Sequence, residues 1–129
     1  MDETRDLNEL SGQIIAAAMR VHSALGPGLL ESAYEACLTY ELERRGLEVR
    51  NQVAVPIVYG ATRIEVACRI DILVEEAVVV ELKTVASLLP IHEAQLLTHL
   101  RLGNYRLGLL LNFYVTRMRD GIRRRVNGL

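Results

Sequence analysis

The chain carries a single lysine, Lys83, in the run Val78-Val79-Val80-Glu81-Leu82-Lys83, while arginine supplies the other 14 of its 15 basic residues. An ammonium is a compact point charge and a guanidinium a planar fork, so the two are not equivalent where a cation must meet a reacting oxygen. The one lysine stands two residues after Glu81, at the end of an apolar run, and Asp71 stands ten residues before that glutamate, also embedded in apolar sequence. An Asp followed by Glu-x-Lys on two adjacent strands is the set of groups that metal-assisted phosphodiester hydrolysis needs. Two carboxylates are hard oxygen ligands for Mg²⁺, the Leu82 carbonyl is placed to add a third, and waters complete the octahedron. Such an ion polarises a phosphodiester and acidifies a bound water. Lys83 would position that water, help deprotonate it, or stabilise the charge that develops on phosphorus. The competing reading is a salt bridge at a sheet end, worth only about 0–1 kcal/mol when exposed.

These groups need two strands in a particular register. Arg63 to Val74 alternates through Ile64, Val66, Cys68, Ile70 and Ile72 as a half-buried strand, and Ala77 to Lys83 is apolar on both faces, as a central strand is. Period two places Val79, Glu81 and Lys83 on one face. A two-residue turn at Glu75-Glu76 would set Asp71 against Val80 and turn it away from Glu81; a three-residue turn, or one bulge, sets Asp71 against Glu81. The metal reading therefore requires an odd turn. The remaining pattern predicts a helix from Leu7 to Ala24, a break at Gly26-Pro27-Gly28, and a helix from Leu30 to Arg45 that Gly46 stops. An irregular strand, Val49 to Tyr59, follows, its Pro56 marking an edge or a bulge. Pro90 opens a helix over 91–102, Leu107 to Asn112 is an apolar strand, and Tyr114 to Val126 reads as a last hairpin around Asp120-Gly121. The order ααβββαβ(β) makes an α/β domain with a mixed sheet of four or five strands flanked by helices.

At 129 residues, half of them hydrophobic but only 5% aromatic and without tryptophan, the chain is one domain with an aliphatic core. The acidic start Met1 to Asp6 is unlike a secretory signal, no apolar run approaches a membrane span, and Cys37 and Cys68 are far apart without a CxxC, so a cytoplasmic protein with reduced thiols is expected. The net charge of −1 hides seven arginines against Asp120 alone in residues 101–129. Such a segment contacts phosphates or forms a solvated edge. His92-Glu93-Ala94-Gln95-Leu96 lacks the second histidine of a zinc HExxH helix. His22 reads as a cap or a buried neutral ring, and Glu35 as a solvated helix charge.

Gly28-Leu29-Leu30-Glu31-Ser32-Ala33-Tyr34 spells GxxExxY. With Asp71, Glu81-Leu82-Lys83 and Gln95 it resembles the small bacterial GxxExxY proteins, which are assigned to the PD-(D/E)XK nuclease superfamily near its RecB-like branch. The resemblance runs from about Leu7 to Val126 and implies a restriction-endonuclease-like core. It makes Asp71 and Glu81 metal ligands for Mg²⁺ or Mn²⁺, with Leu82 and Glu31 completing the site, and Lys83 and Gln95 catalytic alongside them. Four residues after Gln95, RecB-like relatives have tyrosine; here it is His99, grouped with Tyr34 and Arg123, Arg124 and Arg125 as substrate contacts. Ile70 stands where the literal motif has proline. Without the resemblance, Glu31 is equally a first-turn carboxylate favoured by the helix dipole, and Tyr34 equally a core residue.

Two functions follow as expectations. One is a metal-dependent nuclease on nucleic acid, DNA before RNA, acting as a monomer or as a self-complementing homodimer, with no membrane partner. The other is a catalytically silent member of the fold that serves as a nucleic-acid or protein interaction module.

Overall fold

The computed structural model describes residues 3–128, with side chains from Asp6 onward; Met1 and Asp2, part of the acidic start, lie outside it. Helices α1 (Glu3–Leu25) and α2 (Glu31–Arg44) precede strands β1 (Val49–Tyr59), β2 (Thr62–Val74) and β3 (Val78–Lys83). Helix α3 (Pro90–Gly103) then crosses to β4 (Leu107–Asn112), and a 3₁₀ turn (Met118–Gly121) leads into β5 (Ile122–Val126). The sheet order is β1-β2-β3-β4-β5, antiparallel except for the parallel pair β3–β4 that α3 connects.

The strands expected to be central are central. All of β4 and all of β3 except Lys83 are buried, because helices cover both faces. On one face α1 contributes Leu7, Ile14, Ala17, Ala18 and Val21, and α2 Tyr34, Leu38 and Leu42, against Val78, Val80, Leu82, Leu107, Leu109 and Leu111. On the other, Leu96 and Leu100 of α3 meet Leu73, Val79 and Leu110. Each Val, Leu or Ile among them, fully buried, contributes about 1.5–3 kcal/mol. Gly108 lets α3 sit this close: a Cβ there would be 2.7 Å from Leu96 Cδ1. Leu25, the last residue of α1, is exposed. Cys37 packs on the α1/α2 face and Cys68 on the α3 face, so the two free thiols are separated by the sheet.

Strands β1 and β2 are longer than the rest, and their hairpin runs on beyond the end of β3 to an exposed tip at Gly60. The register slips between Val55 and Ile57, around Pro56, as that proline foretold. A second irregularity lies nearer the core. Gln52 has φ +51°, and the β1–β2 ladder skips it and Asp71 opposite. On one side of this point Val49, Ile72 and Val74 face α1 and α2; on the other, Val53, Val55 and Ile70 face α3. Both strands change face there.

The tail differs from expectation. Residues 114–126 do not form their own hairpin: β5 pairs with β4, and Asp120-Gly121 closes the 3₁₀ turn between them. Gly121 lies on the Asn112 carbonyl so tightly that a Cβ would be 2.2 Å from that oxygen, which directs the chain back along β4.

Candidate active site

The turn between β2 and β3 is odd. Val74 pairs with Val78, leaving Glu75, Glu76 and Ala77 between them. Glu75 and Glu76 both adopt left-handed φ (+53° and +51°), as a type I′ turn requires, and the Ala77 N–H bonds the Val74 carbonyl at 3.0 Å. Ala77 is the additional residue, and it shifts the register so that Asp71 falls opposite Glu81.

The ladder between β2 and β3 ends at Ile72–Val80. One residue further, the Asp71 side chain replaces the main chain: Leu82 N–H donates to Asp71 Oδ2 at 2.9 Å. A residue's N–H and C=O point to the same side of a strand. The Leu82 carbonyl therefore faces the same gap between the strands. Asp71 Oδ1 is 3.4 Å from Gln52 Nε2, whose other hydrogen bond, at 2.8 Å, goes to Glu35 Oε1. Glu35, expected to be a solvated charge, is thus tied through Gln52 to the site, with Asn51 Nδ2 on its second oxygen at 3.1 Å. The left-handed turn at Gln52 aims this amide, and nothing in residue type or alternation singled it out.

Glu81 is 7% exposed, and its Oε1 is 2.7 Å from His99 Nδ1 on α3. Burial drives its pKa up to about 7; the His99 hydrogen bond works against that, and the Asp71 carboxylate beside it adds to the rise. Glu31, at the start of α2, is on the surface as a residue, yet its carboxyl feels the same groups. Burial raises its pKa first and Asp71 second, against the pull of Lys83. Lys83 is half-buried on the Glu81 side of β3, and its strand partner on β4 is Asn112. Asn112, 1% exposed, bonds Val85 N–H and C=O and Tyr114 N–H, fixing both loops that leave the parallel strands. Burial, then Glu81, pushes the Cys68 thiol up, which removes it as an activated nucleophile.

The structure therefore gathers Asp71, Glu81, Leu82, Lys83 and Glu31 at the end of β3. The other expected residues have different surroundings. Tyr34, expected as a substrate contact or a core residue, is fully buried, stacks on Phe113 with centroids 4.5 Å apart, donates to the Gly26 carbonyl and accepts from Leu29 N–H. It clamps the Gly26-Pro27-Gly28 loop. His99, expected as a substrate contact, bonds Glu81 through Nδ1. Gln95 is exposed one turn before it on α3. The three arginines of β5 do not form one patch. Arg125 pairs with Glu93, Arg124 reaches Asn8 on the opposite face, and Arg123 bonds the Asp120 and Ile122 carbonyls. Of the histidines outside the site, His22 bonds the Val115 carbonyl and His92 accepts from Leu89 N–H at the α3 cap.

The raised Glu81 pKa has a consequence for stability. In unfolded chain the carboxyl ionises near 4.5, in the folded protein near 7, so the fold binds the extra proton between those values and loses stability as pH rises through them. The loss approaches about 3 kcal/mol by pH 8. Without divalent metal, Glu81→Gln is expected to be more stable than wild type at pH 8, with the advantage shrinking towards pH 5. Urea unfolding at the two pH values checks this; a difference that does not change with pH would contradict it.

No helix among the described residues is long and apolar enough to cross a membrane. No curated protein and no solved structure matches the chain. The family model for the PD-(D/E)XK nuclease superfamily matches residues 8–125, from α1 to β5. The motif aspartate, the Glu-x-Lys strand and the mixed sheet that carries them all fall within that match, and the chain belongs to the PD-(D/E)XK nuclease superfamily.

Proposed function

We propose that this chain is a Mg²⁺- or Mn²⁺-dependent nuclease that hydrolyses phosphodiester bonds, with DNA favoured over RNA by the family resemblance. The observation that carries the reading is the odd turn, which sets Asp71 against Glu81 with Lys83 on the same side. Among the described residues no group of three or more His, Cys, Asp or Glu side chains converges as a self-sufficient metal cage. Mg²⁺ does not ask for one: it is held by one or two carboxylates, keeps several waters and takes oxygens from substrate phosphates. Two hard carboxylates facing each other across the β2–β3 gap, with the Leu82 carbonyl beside them, fit that demand.

Asp71, Glu81 and the Leu82 carbonyl would hold the ion, with Glu31 supporting it directly or through water. When bound, the ion supplies positive charge to the phosphodiester and acidifies a water. The protein's own groups do the rest. His99 fixes the Glu81 carboxylate, Gln52 restrains Asp71, and Lys83 holds the attacking water or meets the charge that develops on the phosphate. Gln95, exposed one turn before His99 on α3, would touch the substrate strand. A cytosolic setting, in which Cys37 and Cys68 remain thiols, belongs to this reading. One copy holds one such centre, so cutting both strands of a duplex takes a homodimer or two successive encounters.

The test is thermal unfolding of wild type and Glu81→Ala against Mg²⁺ and Mn²⁺, followed by cleavage assays on DNA and RNA with protein free of host nucleases. At a hundred times the dissociation constant, metal should add about 3 kcal/mol to the wild type and nothing to the variant. Cleavage retained by Glu81→Ala would sink the reading. No metal response in either protein would point to the silent interaction module instead.

A further inference from the structure

Strands β3 and β4 are parallel, so the loop leaving β4 emerges at the same end of the sheet as Lys83. That loop, residues 113–117, is anchored at both ends. His22 on α1 bonds the Val115 carbonyl at 2.7 Å, and Met118, 5% exposed, is packed into the α1/α2 core. Between these anchors and the end of α1 lies a cavity of about 430 Å³, lined by Arg117, Arg119, Thr116, Ser23 and His22 over a floor that includes Met118. Arg117 and Arg119 are exposed and, among the described residues, neither makes an ion pair or a side-chain hydrogen bond. The other arginines of this segment are engaged: Arg101 with Thr98, Arg106 with the Gly128 carbonyl, and Arg123, Arg124 and Arg125 as described above.

We infer that the Arg117/Arg119 cavity is a phosphate subsite for a nucleic-acid strand whose scissile bond lies at Lys83. Two unengaged guanidinium forks present the planar donors that phosphate oxygens accept, and the Thr116 and Ser23 hydroxyls line the same cavity. The basic grip on the substrate thus lies on the β4–β5 loop rather than on β5. For its occupant the inference rests on the nuclease reading, but binding tests it separately from cleavage.

The experiment is fluorescence anisotropy of labelled DNA duplexes and single strands in EDTA over a salt series. It compares wild type, the Arg117→Gln/Arg119→Gln double variant, and Arg44→Gln/Arg45→Gln, which removes the same charge at the far end of α2. The loop variant is expected to bind roughly tenfold or more weakly at low salt, and its log–log salt slope for duplex to fall by about 1.8, the release expected for two phosphate contacts. The α2 variant should keep the wild-type slope. Equal losses in both double variants, or an unchanged slope in the loop variant, would overturn the subsite. So would a wild type that binds no oligonucleotide, or one from which inorganic phosphate displaces DNA beyond the effect of ionic strength, since the cavity would then serve free phosphate. Cleavage by a wild type whose loop variant still binds normally would refute the subsite alone. Arginine-dependent binding without any cleavage would refute the nuclease reading alone.

Discussion

Lys83→Met is expected to lower metal-dependent cleavage about 10²–10³-fold, the size of effect seen when one preorganised donor to a developing oxyanion is removed. The metal-induced rise in melting temperature should survive, because in the proposed site Lys83 supplies no ligand while Asp71, Glu81 and the Leu82 carbonyl remain. This separation of binding from chemistry is what its position implies. Lys83 lies on the side of β3 that carries Glu81, half-buried, near enough to Glu31 to lower that carboxyl's pKa. Lys83→Arg should restore only part of the lost rate, since a planar fork does not occupy the place of a compact ammonium. Single-turnover cleavage at saturating metal measures both. Near-wild-type rates in Lys83→Met would remove the lysine from the mechanism and leave its solitary occurrence without a catalytic explanation.

Asn112→Ala should cost about 3–5 kcal/mol, a large share of the 5–15 kcal/mol typical of a domain. The side chain is 1% exposed and its amide makes three hydrogen bonds: from Val85 N–H at 3.1 Å, to the Val85 carbonyl at 2.9 Å, and from Tyr114 N–H at 3.2 Å. Truncation orphans three backbone groups, each costing roughly 1–3 kcal/mol when buried without a partner. Some water would reach the vacated space, which is why the expected total is below the sum of the upper values. Urea unfolding reports the loss, and a change below about 1 kcal/mol would mean that the loops supply substitute partners. Because Val85 follows Thr84 and Lys83 directly, the same substitution should also loosen the end of β3 that carries the proposed catalytic groups.

Much of the fold was legible because the signals were local. The helical stripe of α1, the breaks at Gly26-Pro27-Gly28 and Gly46, and the unbroken apolar runs of β3 and β4 each sit within a few residues of chain. The central pair of the site was also legible, in a conditional way: Asp71 and Glu81 could meet only across an odd turn, and the turn is odd. The residues that make the turn gave no hint of this, since two glutamates hold the left-handed conformations that glycine and asparagine usually supply. What escaped was set by contacts distant in sequence. Whether His99 faces Glu81 or the substrate depends on how α3 lies across β3. The role of Gln52 depends on a backbone inversion opposite Asp71, and that of Asn112 on which loop happens to follow β3. The arginines were countable, but which of them are satisfied by Glu93, Asn8 or main-chain oxygens is decided only when β5 docks beside β4.

The two outer strands bear on how the molecule behaves among many copies of itself. An open sheet offers unpaired backbone at each margin, and such margins are templates for edge-to-edge aggregation. Here β1 is interrupted by Pro56, which has no N–H to donate, and by the inverted backbone at Gln52, so neither half presents a long flat rim. The opposite margin, β5, is five residues long and carries Arg123, Arg124 and Arg125 in succession. Such a short strand, with long charged side chains leaving it on alternate faces, offers little for a second copy to pair with. The arginine run that first suggested a hold on phosphates thus reads better as a short, charged border to an otherwise aliphatic sheet.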